Sequence, residues 1–284
     1  MLPENLTVSF APVEDPYFAD WRNHDVPLIQ DTVSDLMRWG RLAHSLMCWI
    51  YPSPYGTGID MPVGMVGRIT SNLRVMKHAG VDSIFADHIT ILSRSNFAEL
   101  QRYLMLKLMQ DVNCDTGAAI REFTDHHYGA AGATMRAYLG ELEECRITMA
   151  LPPGIGEGPG AVTYKSRTYD ARTFPYLTVE NIRRWQGYFD EMEWLTADQP
   201  KALLHVRAER RELDLATLWK WQELSKQFRD YFKDYRVHVN RVRAANRALH
   251  EENHWLRSLG KAAITGFLAK IEDGQDETPP EAEH

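Results

Sequence analysis

Residues 46–51 read LMCWIY, and this stretch decides the fold class together with LTVSFA at residues 6–11 and SIFAD at residues 83–87. Each run is apolar, rich in β-branched or aromatic side chains, and too short for a stable helix. Amphipathic segments over residues 27–42 and 65–79 separate the runs. Because short strands that alternate with helices are typical of parallel strands joined by helical crossovers, the sequence predicts three units of a (β/α) barrel.

The predicted barrel is partial, because a closed parallel barrel has eight strands. We therefore expect residues 1–150 to hold the last three β/α units and some trailing helices, as the rear part of a larger enzyme. The Gly- and Pro-rich residues 151–173 mark a domain boundary, and residues 151–272 are expected to form a long-helix C-terminal region. Residues 273–284 are acidic and Pro-rich, which predicts a disordered tail. The fold class is thus α/β followed by all-α.

Two aromatic residues end the second predicted strand, and parallel barrels carry their chemistry at the C-terminal ends of the strands. Trp49 and Tyr51 are two residues apart, so they share one face of this strand. Facing inward, they would form the wall of a sugar subsite; facing outward, they would pack beneath the helices. We favour the subsite for Tyr51 and leave both interpretations open for Trp49.

Acidic residues lie at or just after the ends of the other two strands. Glu14 and Asp15 follow the first run, where a carboxylate could hydrogen-bond sugar hydroxyls or assist catalysis, or could instead cap the next turn. Asp87 and His88 adjoin the end of the third run and could bind hydroxyls or hold a proton, although a polar turn between strand and helix is the ordinary explanation. The candidate substrate-binding residues are Asp15, Trp49, Tyr51 and His88.

The ends of the helices are marked by small and polar residues. The second helix is expected to end at Ala79-Gly80, where Gly80 fits a C-cap, and either Ser95 or Asn96 fits the N-cap of the third helix. Farther along, apolar periodicity predicts long helices that include residues 199–227 and 229–252.

Composition restricts the partners. The formal net charge is -7, without a basic stripe, which argues against nucleic acid. The mixed charges at residues 207–211 are expected on a solvated helix face. Three cysteines without paired spacing predict neither a zinc site nor a disulfide framework. The sequence also lacks a glycine-rich nucleotide motif and an apolar run of roughly 20 residues, so we predict no metal, no cofactor and no membrane span.

The most specific motifs follow the third strand. They are FAELQRYLMLKLM at residues 97–109, IREF at 120–123, HYGAA at 127–131 and MRAYL at 135–139. Their order and spacing resemble domain-of-unknown-function family 4838, which we associate with glycoside hydrolase family 163. Its members read approximately E-L-R-x-Y-L-x-x-K-L-L-W-(N/D)-P, then I-x-E-F-x-x-x-Y-Y-G-x-A, then I-R-x-Y-L. The resemblance extends over about residues 6–218.

This resemblance implies a secreted or periplasmic bacterial glycosidase with a (β/α)8 barrel, an endo-β-N-acetylglucosaminidase that acts on N-glycans. Hydrolysis would be substrate-assisted. The 2-acetamido oxygen attacks the anomeric carbon, one carboxylic acid protonates the leaving oxygen, and a second carboxylate orients the amide. In related barrels this carboxylate pair lies on earlier strands, which would leave it outside this chain.

The resemblance also suggests roles for single residues. Glu14 keeps the carboxylate of the family motif C-P-I-E, and Asp87 stands one position from the glutamate of G-V-F-E-Q-G, so these two are the catalytic candidates. Ile50 and Ala86 replace acidic residues of the family pattern. A non-catalytic carbohydrate-binding or structural remnant of the fold is therefore the alternative, and a third possibility is an assembly subunit that pairs through its long helices.

Overall fold

The computed structural model describes residues 2–12, 20–22, 26–50, 61–86, 96–148, 174–252, 265–266, 268–269 and 271. Within them, a sheet is formed by β1 (Thr7–Phe10), β2 (Ser45–Ile50) and β3 (Ser83–Ala86), in the order β1-β2-β3. Both neighbouring pairs are parallel. Helix α1 (Pro27–Leu42) lies between β1 and β2 in the chain, and helix α2 (Val66–His78) between β2 and β3. The predicted parallel strands and their connecting helices are confirmed.

The two faces of the sheet have different surroundings. Leu46, Cys48 and Ile50 alternate along β2 and are buried. They share a core cluster with side chains of α1, α2 and the next helix, α3 (Ala98–Gln110). These three helices therefore cover one face of the sheet. The residues between them in sequence, such as Met47 and Trp49, point to the opposite face, because successive strand side chains alternate.

Helix α2 ends where the sequence predicts, but its C-cap is Ala79, and Gly80 is the residue that follows the cap. Gly80 has a φ of 87°, in the left-handed region that a residue without a Cβ adopts at least cost. The N–H of the next residue, Val81, donates to the carbonyl oxygen of Met76 at 3.0 Å. This backbone hydrogen bond satisfies a carbonyl of the last helical turn, as expected of a glycine that follows a helix C-terminus.

The N-cap predicted for Asn96 is wrong. The N-cap of α3 is Phe97, and Asn96 and Phe97 both have positive φ, 53° and 59°. The side chain of Asn96 turns away from the helix: Nδ2 donates to the carbonyl oxygen of Met61 at 3.0 Å, and Oδ1 accepts from the N–H of Val63 at 3.1 Å. Its amide is thus occupied by a distant segment; Ser95 lies outside the described residues.

The rest of the described chain is helical. Its elements are α4 (Thr116–Tyr128), a short 3-10 turn (Gly129–Ala131), α5 (Gly132–Thr148), α6 (Val179–Leu195), α7 (Pro200–Trp219), α8 (Trp221–Gln227) and α9 (Arg236–Glu252). The helix predicted over residues 199–227 is divided in two at Lys220. The helix predicted from residue 229 begins only at Arg236, where Asp234 accepts the backbone N–H at 3.0 Å and pairs with the guanidinium at 2.8 Å.

One hydrophobic core joins the helices before and after the predicted domain boundary. It contains Leu100 of α3 and Tyr138 of α5 together with Trp185 of α6, Val206 of α7 and Val242 of α9. The later helices therefore pack against the helices that follow the sheet. The predicted boundary segment and C-terminal tail lie outside the described residues. Among the described helices, none combines the length and the apolar composition that crossing a bilayer requires.

The expectation of a solvated charged face at residues 207–211 is confirmed for Arg207, which is exposed, and is wrong for the charged residues that follow it. Glu209, Arg210, Arg211 and Glu212 are all at most 4% exposed. Both buried arginines are paired with carboxylates: Arg210 donates to Glu193 and Asp190 of α6, both at 2.7 Å, and Arg211 donates to Glu212 at 2.8 Å. Charged residues tolerate burial only when they are paired and hydrogen-bonded. Helix α7 packs against α4, α6 and α9, which explains why its polar residues are enclosed.

Candidate functional site

The face of the sheet that is not covered by α1, α2 and α3 is the candidate site, and we call it the open face. Its residues are Thr7 and Ser9 of β1, Ser45, Met47 and Trp49 of β2, and Ser83 and Phe85 of β3. All of them are exposed or only partly buried, and none belongs to a core cluster of the described chain. No helix of the described chain therefore packs its core against the open face.

An aromatic pair lies near the C-terminal end of the open face. Trp49 and Phe85 are direct neighbours in the parallel register. Their rings meet edge to face, with centroids 4.8 Å apart and an interplanar angle of 76°. Phe85 is nonetheless 48% exposed, so the pair presents apolar surface. Aromatic side chains that present an apolar body at a surface are enriched where ligands bind.

Hydroxyl groups occupy the rest of the open face. Ser9, Met47 and Ser83 form one row across the three strands, and Thr7 lies beside Ser45 in the row below. Thr7 Oγ1 donates to Ser45 Oγ at 3.3 Å. Each hydroxyl can donate one hydrogen bond and accept two. The open face thus combines an apolar aromatic edge with small polar groups that can reach a polar ligand.

The segments that lead from the strand ends into α1 and α2 are anchored by one buried arginine. Arg146 of α5 is 2% exposed. Its guanidinium pairs with Asp20, before α1, at 3.1 Å, and its Nε donates to the carbonyl oxygen of Gly64, before α2, at 2.5 Å. A planar guanidinium with several fixed donors can hold two such segments at once. Helix α5 therefore sets where the first two connections end.

The segment that leads into α3 is anchored by a buried carboxyl group. Glu209 of α7 accepts the N–H of Phe97 at 3.0 Å and the hydroxyl of Tyr128 at 2.9 Å. Burial raises the pKa of Glu209 to about 8, although both hydrogen bonds act in the opposite direction. Tyr176 adds a further contact by donating to the carbonyl oxygen of Pro62 at 2.8 Å. Residues of the helical region thus fix the segments that follow all three strands.

The structure places one of the predicted site residues. Trp49 lies on the open face, which settles its orientation in favour of the side away from the helices. The other predicted site residues, Glu14, Asp15, Tyr51, Asp87 and His88, lie outside the described residues. Which of them come together at the strand ends therefore stays a prediction.

The structure also adds one residue to the candidate site, and it locates the two apolar residues that stand where the family pattern is acidic. Phe85 was not among the predicted site residues, yet it pairs with Trp49; period-two alternation along the third strand was the signal that could have identified it. Ile50 and Ala86 belong to the opposite face, where both pack with the core under the helices. Among the described strand residues, the open face carries no carboxylate.

Comparison with known proteins assigns the sheet and the helices that follow it to one family. Residues 2–140 match the family model of a domain of unknown function (DUF4838). They include all three strands and the helices α1 to α4. This region belongs to the DUF4838 family. No curated protein and no solved structure matches the chain. The DUF4838 region thus contains the complete open face and the N-terminus of α3, whereas Glu209, which holds that N-terminus, lies beyond it.

Proposed function

We propose that the DUF4838 region supplies the last three β/α units of a glycoside hydrolase-type barrel, and that the barrel is an endo-β-N-acetylglucosaminidase acting on N-glycans. The observation that carries the proposal is the aromatic pair of Trp49, which is partly buried, and Phe85, which is exposed, on the face of a parallel sheet that α1, α2 and α3 leave uncovered. The specific substrate class comes from the resemblance of the helical motifs to the family 163 glycosidases.

The uncovered face supports the barrel part of the proposal. Sheets of parallel strands occur almost only where both faces are covered. Here α1, α2 and α3 cover one face, so the other requires a cover, and in a (β/α) barrel that cover is the opposite side of the same barrel. The open face would then line the barrel interior. Because β2 ends at Ile50 and β3 at Ala86, Trp49 and Phe85 would lie next to the barrel mouth.

The chemistry of the open face suits a saccharide. A pyranose ring has apolar C–H faces, which can rest on aromatic rings, and equatorial hydroxyls, which need hydrogen-bond partners. In substrate-assisted hydrolysis the nucleophile is the substrate's own acetamido oxygen, so the protein must supply an acid and a group that orients the amide. Glu14 and Asp87 are our candidates for carboxylates that act at the strand ends.

The proposal is tested by incubating the complete gene product, which would hold the whole barrel, with a glycoprotein that carries N-glycans and measuring released oligosaccharide by mass spectrometry. Release with one N-acetylglucosamine left on the protein is expected, together with its loss in Glu14→Gln and Asp87→Asn. Release that Glu14→Gln leaves unchanged would show that this carboxylate does not take part. Trp194→Ala is the matched control for the Trp49→Ala variant of the open face, because Trp194 lies on α6 and is 77% exposed.

A second candidate function is carbohydrate binding without turnover. It is favoured by the absence of carboxylates from the described open face and by the apolar Ile50 and Ala86, which replace acidic residues of the family pattern. Glycan binding by wild type, weakened by Trp49→Ala and accompanied by no released oligosaccharide, would support this function over hydrolysis. The absence of both binding and release would contradict both candidates.

A further inference from the structure

A separate cavity lies within the helical region. Its volume is about 680 Å³, in the range of roughly 300–1,000 Å³ that is usual for pockets that bind small ligands. Its lining comes from α3, α4, α6, α7 and α9, with the largest share from α7 and α9. It shares no residue with the open face, so the proposed glycosidase activity does not explain it.

The arginines and acidic residues that line the cavity are already paired. The pairs are Arg207 with Glu193 at 3.1 Å, Arg210 with Glu193 at 2.7 Å, Arg241 with Asp214 at 3.7 Å, and Glu99 with Arg102 at 3.2 Å. The remaining acid, Glu209, is neutral at pH 7, because burial raises its pKa to about 8. An ionic ligand would have to break one of these pairs, whereas an uncharged polar ligand would not.

Asp214 provides a buried acceptor on the cavity wall. This residue is 1% exposed. Its Oδ1 lies 2.6 Å from Nδ1 of His238 and accepts from Nε2 of Gln186 at 3.0 Å. Its Oδ2 has no hydrogen-bond partner among the described residues. A buried acceptor without a partner is costly, and a ligand hydroxyl that donated to it would remove that cost.

The other walls of the cavity are flat or apolar. The rings of His127 and His205 stack in parallel, with centroids 3.7 Å apart. His205 Nδ1 lies 2.7 Å from the carbonyl oxygen of His127; because a carbonyl only accepts, Nδ1 carries a proton and donates this hydrogen bond. Ala244 and Ala245 of α9 supply apolar surface.

The geometry points to a binding site in this cavity for an uncharged, hydroxyl-rich small molecule, a saccharide unit. One of its hydroxyls would donate to Asp214 Oδ2, while Arg207 and Arg241 would donate to its oxygens without leaving their carboxylate partners. The apolar face of the ring would lie against Ala244 and Ala245. The site is independent of the proposed activity of the open face.

The test is an NMR titration that follows the ring protons of His127 and His205. The probes are glucose and N-acetylglucosamine as neutral sugars, glucuronate as the anionic one and glucosamine as the cationic one. Saturable shifts with the neutral sugars, at affinities above those of both charged sugars, are expected. Asp214→Asn should weaken binding about tenfold, because the charged carboxylate that accepts the hydrogen bond of the ligand hydroxyl becomes a neutral amide.

A cavity-filling variant keeps the test decisive if Asp214→Asn fails to fold. Ala245→Met should abolish the shifts while the protein keeps its melting temperature, and Ala118→Met, on the exposed side of α4, is the matched control. Trp49→Ala should leave the shifts intact, which separates this site from the open face. The proposal is overturned if no histidine resonance shifts, if the shifts persist in Ala245→Met, or if a charged sugar binds more tightly than glucose.

Discussion

The free energy of unfolding of the wild type should fall as the pH rises, and replacing Glu209 by Gln should abolish this fall. Burial raises the pKa of this carboxyl group from 4.5 to about 8 in the folded protein. The folded state therefore holds the proton more tightly than the unfolded state does. The resulting stabilisation is complete below pH 4.5 and is lost as the pH rises through about 8. Gln has the same shape, stays neutral and can still bond Phe97 and Tyr128.

The size of the effect follows from linkage. Between pH 4.5 and about 8, the wild type should lose about 1.4 kcal/mol of unfolding free energy per pH unit relative to Glu209→Gln, or roughly 5 kcal/mol in all. His127 has the opposite sign: burial lowers its pKa from 6.5 to about 3, so its stabilisation is present above pH 6.5 and is lost below. From pH 6.5 to 8 the Glu209 effect stands alone and amounts to about 2 kcal/mol.

Urea unfolding followed by tryptophan fluorescence at pH 5, 6.5 and 8 measures the difference between the two proteins. Glu141→Gln is the contrasting control. Burial raises the pKa of Glu141, but hydrogen bonds from Arg184, Tyr188 and Trp185 outweigh burial and leave it below its usual value. This variant should therefore be destabilised at neutral pH. A wild type that loses no stability relative to Glu209→Gln between pH 6.5 and 8 would refute the reasoning.

Three further substitutions have defined outcomes, and two of them have a control substitution. Trp49→Ala should weaken N-glycan binding about tenfold by isothermal titration calorimetry, while Trp194→Ala should not change it. Gly80→Ala should lower the free energy of unfolding by about 1 kcal/mol because φ is 87° there, whereas Gly140→Ala, inside α5 with no atom near its added Cβ, should raise it by up to about 1 kcal/mol. Ile50→Asp should cost about 3 kcal/mol or more in chemical denaturation, because it buries a carboxylate among the core residues beneath the helices.

The strands could be predicted from the sequence because their signal is local. Short apolar runs separated by amphipathic segments give parallel strands and crossover helices, and period-two alternation predicts that Trp49 and Tyr51 share one face. The pattern alone could not say which face that is, because the orientation depends on which side the helices cover. Burial of Ile50 against α1 and α2 answers this for Trp49, and the register then brings Phe85 beside it.

The burial of α7 could not be predicted, because its partners are distant in sequence. Charges spaced along a helix usually indicate a solvated face. Here Glu209 binds the N–H of Phe97, 112 positions away, and Arg210 pairs with residues of α6. A long separation in sequence also explains why the N-cap prediction was wrong. The side-chain amide of Asn96 is hydrogen-bonded to residues 61 and 63, and a local sequence pattern cannot predict such a contact.

The indole N–H resonance of Trp49, assigned with a Trp49→Phe variant, reports on the open face without any assumption about turnover. Titrating the wild type with a chitobiose-containing N-glycan should shift this resonance saturably and leave that of Trp194 unchanged. A glycan that binds the protein but leaves the Trp49 resonance in place would show that the strand ends do not enclose a saccharide.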